Sequence, residues 1–224
     1  MFEYTLKRSN RKTVAIHIRD GSVEVRAPLK IPQSGIDKFV ASKEKWIREK
    51  LASSTERKEM RSSFSVDYGD LLRYRGKMYP VVARIGDRMG FDDEGFYLPE
   101  NLTQEQIKYA IIEIYKRLAK RDLVNRVLFF AEKMQCEPTA VKVNSAKTRW
   151  GSCSGKKSIN FSWILIMADD DIIDYIVVHE LAHIFEMNHS AKFWKVVERF
   201  IVDYNELRAR LRLLQKQLSV EDWV

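Results

Sequence analysis

The chain has 224 residues, with 39 Lys and Arg against 31 Asp and Glu, for a net charge of +8. That length suits one sizeable domain or two small lobes. Two cysteines without metal-type spacing exclude a disulfide framework, and no apolar run approaches the ~18–20 residues of a helical membrane span.

The positive excess is local. Residues 1–62 carry 15 basic and 8 acidic side chains, a net +7, while the remainder is nearly balanced. A basic lobe of this kind can attract nucleic acid or phosphates, or simply form a solvated face. Met1–Asn10 lacks a 7–15-residue apolar stretch, so no secretory signal and a cytoplasmic location are expected.

Residues 12–27 predict a hairpin. Val14, Ile16 and Ile18 alternate with polar or small residues, Asp20-Gly21 marks the turn, and Val23 and Val25 alternate on the return. His17 falls on the polar side and reads as a surface residue. Pro32 to about Ala52 predicts one helix, with Ile36, Phe39, Val40, Trp46, Ile47 and Leu51 at 3–4 spacing. Residues 53–62 have no apolar rhythm and read as a linker. Residues 63–99 predict short strands, with turns at Gly76-Lys77 and Asp92–Gly95.

A long helix then starts at the capping box Thr103-x-x-Gln106 and keeps an apolar stripe from Ile107 through Leu118, Val127 and Leu128 to about Met134, where Pro138 stops it. Lys116, Arg117, Lys120, Arg121 and Arg126 are placed on its outer surface. Strands at 141–146 and 159–165 are expected to pair as a hairpin around the polar loop Lys147–Lys157. Asp169-Asp170-Asp171 caps the next helix. Its run Ile172–Val178 is β-branched, but the motif that follows demands a helix.

That motif is His179-Glu180-Leu181-Ala182-His183, followed by Asn188-His189. Residues four apart share a helical face, so His179 and His183 can grip one ion. Glu180 lies beside the ion and suits a base acting on zinc-bound water. His189 needs a turn before it, which Asn188 can make in the left-handed conformation. Three imidazoles leave a fourth position open, the layout of a catalytic zinc. The histidine spacing equals that of metzincin proteases, but Glu186 stands where those have glycine. Ser190 caps a last helix with Phe193, Trp194, Val197, Phe200 and Ile201 on its inner face, and 205–218 continues after a kink.

Thr148–Ser154, Ile159–Trp163, Asp174–His183, Asn188-His189-Ser190 and Phe193-Trp194 together resemble the YgjP-like metallopeptidase family, which is related to SprT-type zinc proteases. The likeness reaches weakly to the N-terminal hairpin and to Phe39-Val40 and Trp46-Ile47. Ala168-Asp169 departs from it, where relatives often have proline. The resemblance implies a zincin-type catalytic half, one Zn²⁺ on His179, His183 and His189, and Glu180 as catalytic residue.

The fold expected is α+β. A small antiparallel β lobe with one helix occupies residues 1–100, and a zincin-like helical half with a β-hairpin occupies 101–224. The function expected is a zinc metallohydrolase acting on a peptide or protein. Arg149 and Tyr175 are candidates to stabilise the oxyanion. Cys153 is a candidate fourth ligand. Two other readings stand beside this one. The first is phosphoanhydride hydrolysis of a nucleotide, for which Lys147, Arg149, Lys156 and Lys157 suit a phosphate chain. The second is a nucleic-acid-associated protein targeted by its basic lobe, with zinc mainly structural.

Overall fold

The computed structural model describes residues 3–19 and 21–223. They form two compact units, residues 3–64 with 219–222, and residues 65–218 with 223. The architecture is α+β, as expected.

In the first unit a three-stranded sheet has the order β1 (Thr5–Ser9), β3 (Ser22–Pro28), β2 (Ala15–Arg19). β2 and β3 form the expected hairpin, in register from Ala15↔Arg26 to Arg19↔Ser22. Asp20 of its turn lies outside the described residues, as do Met1 and Phe2 of the N-terminal segment. β1 adds to β3 in parallel, so the sheet is not purely antiparallel. Val23, Val25 and Ala27 alternate onto one face, where Ile36, Val40 and Ile47 from two helices cover them. His17 is exposed.

Those helices correct the single helix expected. α1 (Gln33–Ser42) and α2 (Glu44–Ser62) are separated at Lys43, and α2 continues through the supposed linker. Its second half has no apolar face, but Glu56–Arg61 are good helix formers, and tertiary burial is not needed to extend an existing helix.

In the second unit, β4 (Leu71–Tyr74), β5 (Lys77–Arg84), β6 (Gly90–Asp92) and β7 (Gly95–Pro99) form a sheet ordered β4-β5-β7-β6. The β4–β5 turn sits on Arg75-Gly76, both left-handed, one residue before the expected pair. α3 (Gln104–Met134) opens with the reciprocal Thr103/Gln106 capping box. It ends at left-handed Gln135, three residues before the proline expected to stop it. Leu128 is exposed rather than part of the buried stripe. A chain of rings, Phe96, Tyr115 and Trp163, joins the sheet to α3 at centroid spacings of 5.0 and 5.5 Å.

The third sheet, of order β8-β10-β9, carries the main topological correction. β8 (Ala140–Asn144) and β10 (Ser158–Ser162) run parallel, so they are not the two arms of a hairpin. The loop between them contains β9 (Gly151–Cys153), which pairs antiparallel with β10 and reverses the chain. The hairpin is β9–β10. Trp163–Met167 is a 3₁₀ turn rather than a strand continuation.

α4 (Asp170–Ala182) is buried on most sides, with Ile172, Ile173, Val177 and Val178 inside. The β-branched run is thus helical, because burial around its full circumference outweighs propensity. Asp169 occupies the N-cap position without a side-chain cap bond. Its carboxylate is held by Arg210 of α6 (Tyr204–Leu218). Asp170 is gripped at two points by Arg75, at 2.6 and 2.8 Å. Arg126 pairs with Asp170 and Asp174 and is mostly buried, not on the outer surface of α3. Arginines from three elements therefore fix the N-terminal end of α4. The opposite end carries the histidines. α5 (Ala191–Glu198) is capped by Ser190 and is separate from α6. Among the described residues no helix is long and apolar enough to cross a membrane.

Candidate metal centre

α4 delivers His179 and Glu180 directly. His183 follows at the C-cap, still in helical conformation. His189 arrives from the turn before α5. One ring nitrogen from each of these three histidines lies within 4.8 Å of the others, so the group could hold a metal ion. Nε2 of His189 is 3.1 Å from Nε2 of His179. Nitrogens bound about 2.0–2.1 Å from one tetrahedral zinc sit roughly 3.3 Å apart, and the His179–His189 pair stands near that spacing.

His183 supplies a further test of fit. Its Nδ1–H donates to the Glu186 carbonyl at 3.1 Å, which leaves Nε2 with the lone pair. Burial pushes His179 down to about 3, reinforced by His183 and His189, and burial also lowers His183. Both shifts favour the neutral imidazole, the form a cation requires. A set of three imidazoles fits zinc.

The turn to His189 is not built as expected. Asn188 does not adopt the left-handed conformation. Instead its Oδ1 accepts from the Ser190 N–H at 3.0 Å, and its Nδ2 donates to Glu186 Oε1 at 2.8 Å. An Asx-type turn takes the place of a positive φ.

Phe193 forms the platform beneath the cluster. It is fully buried, and its ring centroid lies 4.9, 4.5 and 4.7 Å from those of His179, His183 and His189. Helical periodicity marks Phe193 only as an inward residue. Trp194 and Tyr175 flank His179 at 5.9 and 5.8 Å. His179 Nδ1 is buried and has no hydrogen-bond partner among the described residues, so on that side ring packing orients it.

Glu180 is 5% exposed, and burial raises its carboxyl to about 8. Arg149 is the one charge that acts against this rise; it is exposed and lies on the loop before β9. Tyr175 is 3% exposed, and burial holds its phenol up at about 12. Cys153 donates to the Ser154 carbonyl at 3.6 Å, and burial raises its thiol.

Sequence reasoning does not single out Gly151. A Cβ there would lie 2.6 Å from Glu180 Oε1 and 2.7 Å from its Cγ. The backbone of β9 thus rests directly on the carboxylate. We expect Gly151→Ala to displace Glu180 and lower turnover about 10- to 100-fold, since a shift near 1 Å costs on that order. Metal stoichiometry should be unchanged. Wild-type turnover in this variant would show that the contact is not needed.

The family described as YgjP-like, metallopeptidase domain, matches residues 12–213. No curated protein matches the chain. Two solved metallopeptidase zymogens are similar to part of it. Abylysin of Pyrococcus abyssi has a TM-score of 0.37 and 21% identity, over 40% of this chain and 90% of that one. Jannalysin of Methanocaldococcus jannaschii has a TM-score of 0.38 and 23% identity, over 43% and 97%.

Proposed function

The chain belongs to the YgjP-like metallopeptidase family, and from that premise we propose that it is a zinc-dependent peptidase. In this reading His179, His183 and His189 hold the ion and Glu180 is the general base. The observation that carries it is the convergence of three histidine nitrogens within 4.8 Å, with a buried glutamate next to the first of them in the helix. A zinc ion there supplies Lewis acidity and lowers the pKa of water to about 7.

The remaining work falls to the chain. Glu180 takes the proton of the attacking water and passes it to the leaving amine. Its dry setting favours proton uptake, and Gly151 lets the β9 backbone close over it. Among the described residues β9 pairs on one side only, with β10. Its free edge offers backbone donors and acceptors to an extended peptide. Arg149, on the rim, supplies positive charge for the oxyanion. Tyr175 is the alternative donor, kept neutral by burial.

The test is cleavage of a mixed-sequence peptide library by the zinc-loaded chain, run beside nucleoside triphosphates. Peptide hydrolysis that chelation stops and zinc restores is the expected result. Phosphate release without peptide cleavage would replace this reading with the phosphoanhydride one.

A further inference from the structure

The third sheet has a second open edge, on the side away from β9. Among the described residues β8 pairs with β10 alone. A groove of about 570 Å³ runs along it, lined by Val141, Lys142, Val143, Asn144 and Ser145 together with Lys116 and Lys120 of α3. Successive strand residues point to opposite faces, so five consecutive ones line a single groove only along the strand's edge. The groove therefore follows the unpaired backbone of β8.

The groove is one-signed. Its charged lining is three lysines, with no carboxylate. Lys116 makes a half-buried ion pair with Glu113 three residues before it on α3, at 2.8 Å, a local contact that a ligand can displace. Lys120 and Lys142 are exposed and have no ion-pair partner among the described residues. Lys116 and Lys120 lie one turn apart on α3, about 6 Å along its axis. An extended acidic segment laid along β8 sets its carboxylates against these lysines while its backbone completes the sheet. No aromatic residue lines the groove, so it offers nothing for a base to stack on.

We propose that this edge docks an acidic, extended peptide segment of another protein by strand addition to β8. The binding stands independently of the chemistry at the histidines. It is tested with the full chain by fluorescence anisotropy of a labelled (Glu-Val)₃ peptide. Saturable binding is expected, with (Lys-Val)₃ silent. Lys120→Glu/Lys142→Glu should weaken it at least about tenfold, and Lys120→Gln/Lys142→Gln by less. A backbone N-methylated (Glu-Val)₃ keeps every charge but loses its donors, and it should also bind at least about tenfold more weakly. Equal binding of the methylated peptide, or equally tight binding of a single-stranded oligonucleotide, would make this a general polyanion site and overturn the assignment. So would absence of binding, or full binding by the charge-reversed variant.

Discussion

Glu180→Gln is expected to lower peptide hydrolysis about 10²- to 10⁴-fold, the range for losing a general acid–base group, with one zinc per chain retained. The substitution is nearly isosteric. The amide side chain would occupy the same buried space under Gly151, so packing is preserved while the proton acceptor is lost. Zinc should remain because Glu180 is not among the three converging nitrogen donors. The measurement is kcat with elemental analysis of the same sample. Unchanged kcat at full zinc would remove Glu180 from the mechanism. Loss of zinc would instead make it a structural support of the centre. Gly151→Ala addresses the same carboxylate by moving it rather than neutralising it. Its smaller expected loss separates position from basicity.

How far the centre is legible in the sequence follows from what each residue contributes. His179, Glu180 and His183 are read through helical periodicity, which needs no knowledge of the rest of the fold. The β-branched run before them misleads a propensity reading, and only the histidine spacing rescues α4 as a helix. The residues that hold the centre in place are less visible. Glu186 acts through its backbone carbonyl, which no side-chain pattern records. Gly151 acts by what it lacks, and its meaning appears only when Glu180 is set against it.

Topology is hidden for a similar reason. Alternation shows that 141–146 and 159–162 are strands, but alternation carries no partner. The decisive element is β9, three residues of Gly, Ser and Cys, too short and too weakly β-forming to register. Its reversal turns an expected hairpin into a parallel pair and leaves β8 and β9 as the two outer strands of the sheet, with Glu180 packed against Gly151 of β9. The helix over 53–62 escapes a periodicity reading because amphipathic spacing detects helices that bury a face, and this half of α2 buries little.

His189→Ala is the variant expected to act most strongly on the metal. Zinc affinity should fall by more than about 100-fold, beyond the loss typical of an outer-shell partner, and activity should fall with it. The fold should survive, since His189 is exposed and lies outside the helices, whereas His183 is 8% exposed and packed into the core. Thermal denaturation reads this directly. Zinc that binds the native state should raise the melting temperature of the wild-type chain by mass action, and the increment should shrink sharply in the variant. Glu186→Ala is the control that gives the result its meaning. The Glu186 carboxylate lies in the same turn, but its Oε1 is engaged by Asn188 at 2.8 Å, and its contact with His183 is made by the backbone carbonyl, which alanine keeps. Zinc-dependent stabilisation should therefore persist in Glu186→Ala. The reverse pattern, with zinc kept by His189→Ala and lost by Glu186→Ala, would move the third ligand from an imidazole to a carboxylate. The same two histidines of α4 would then belong to a centre of different charge and different base strength.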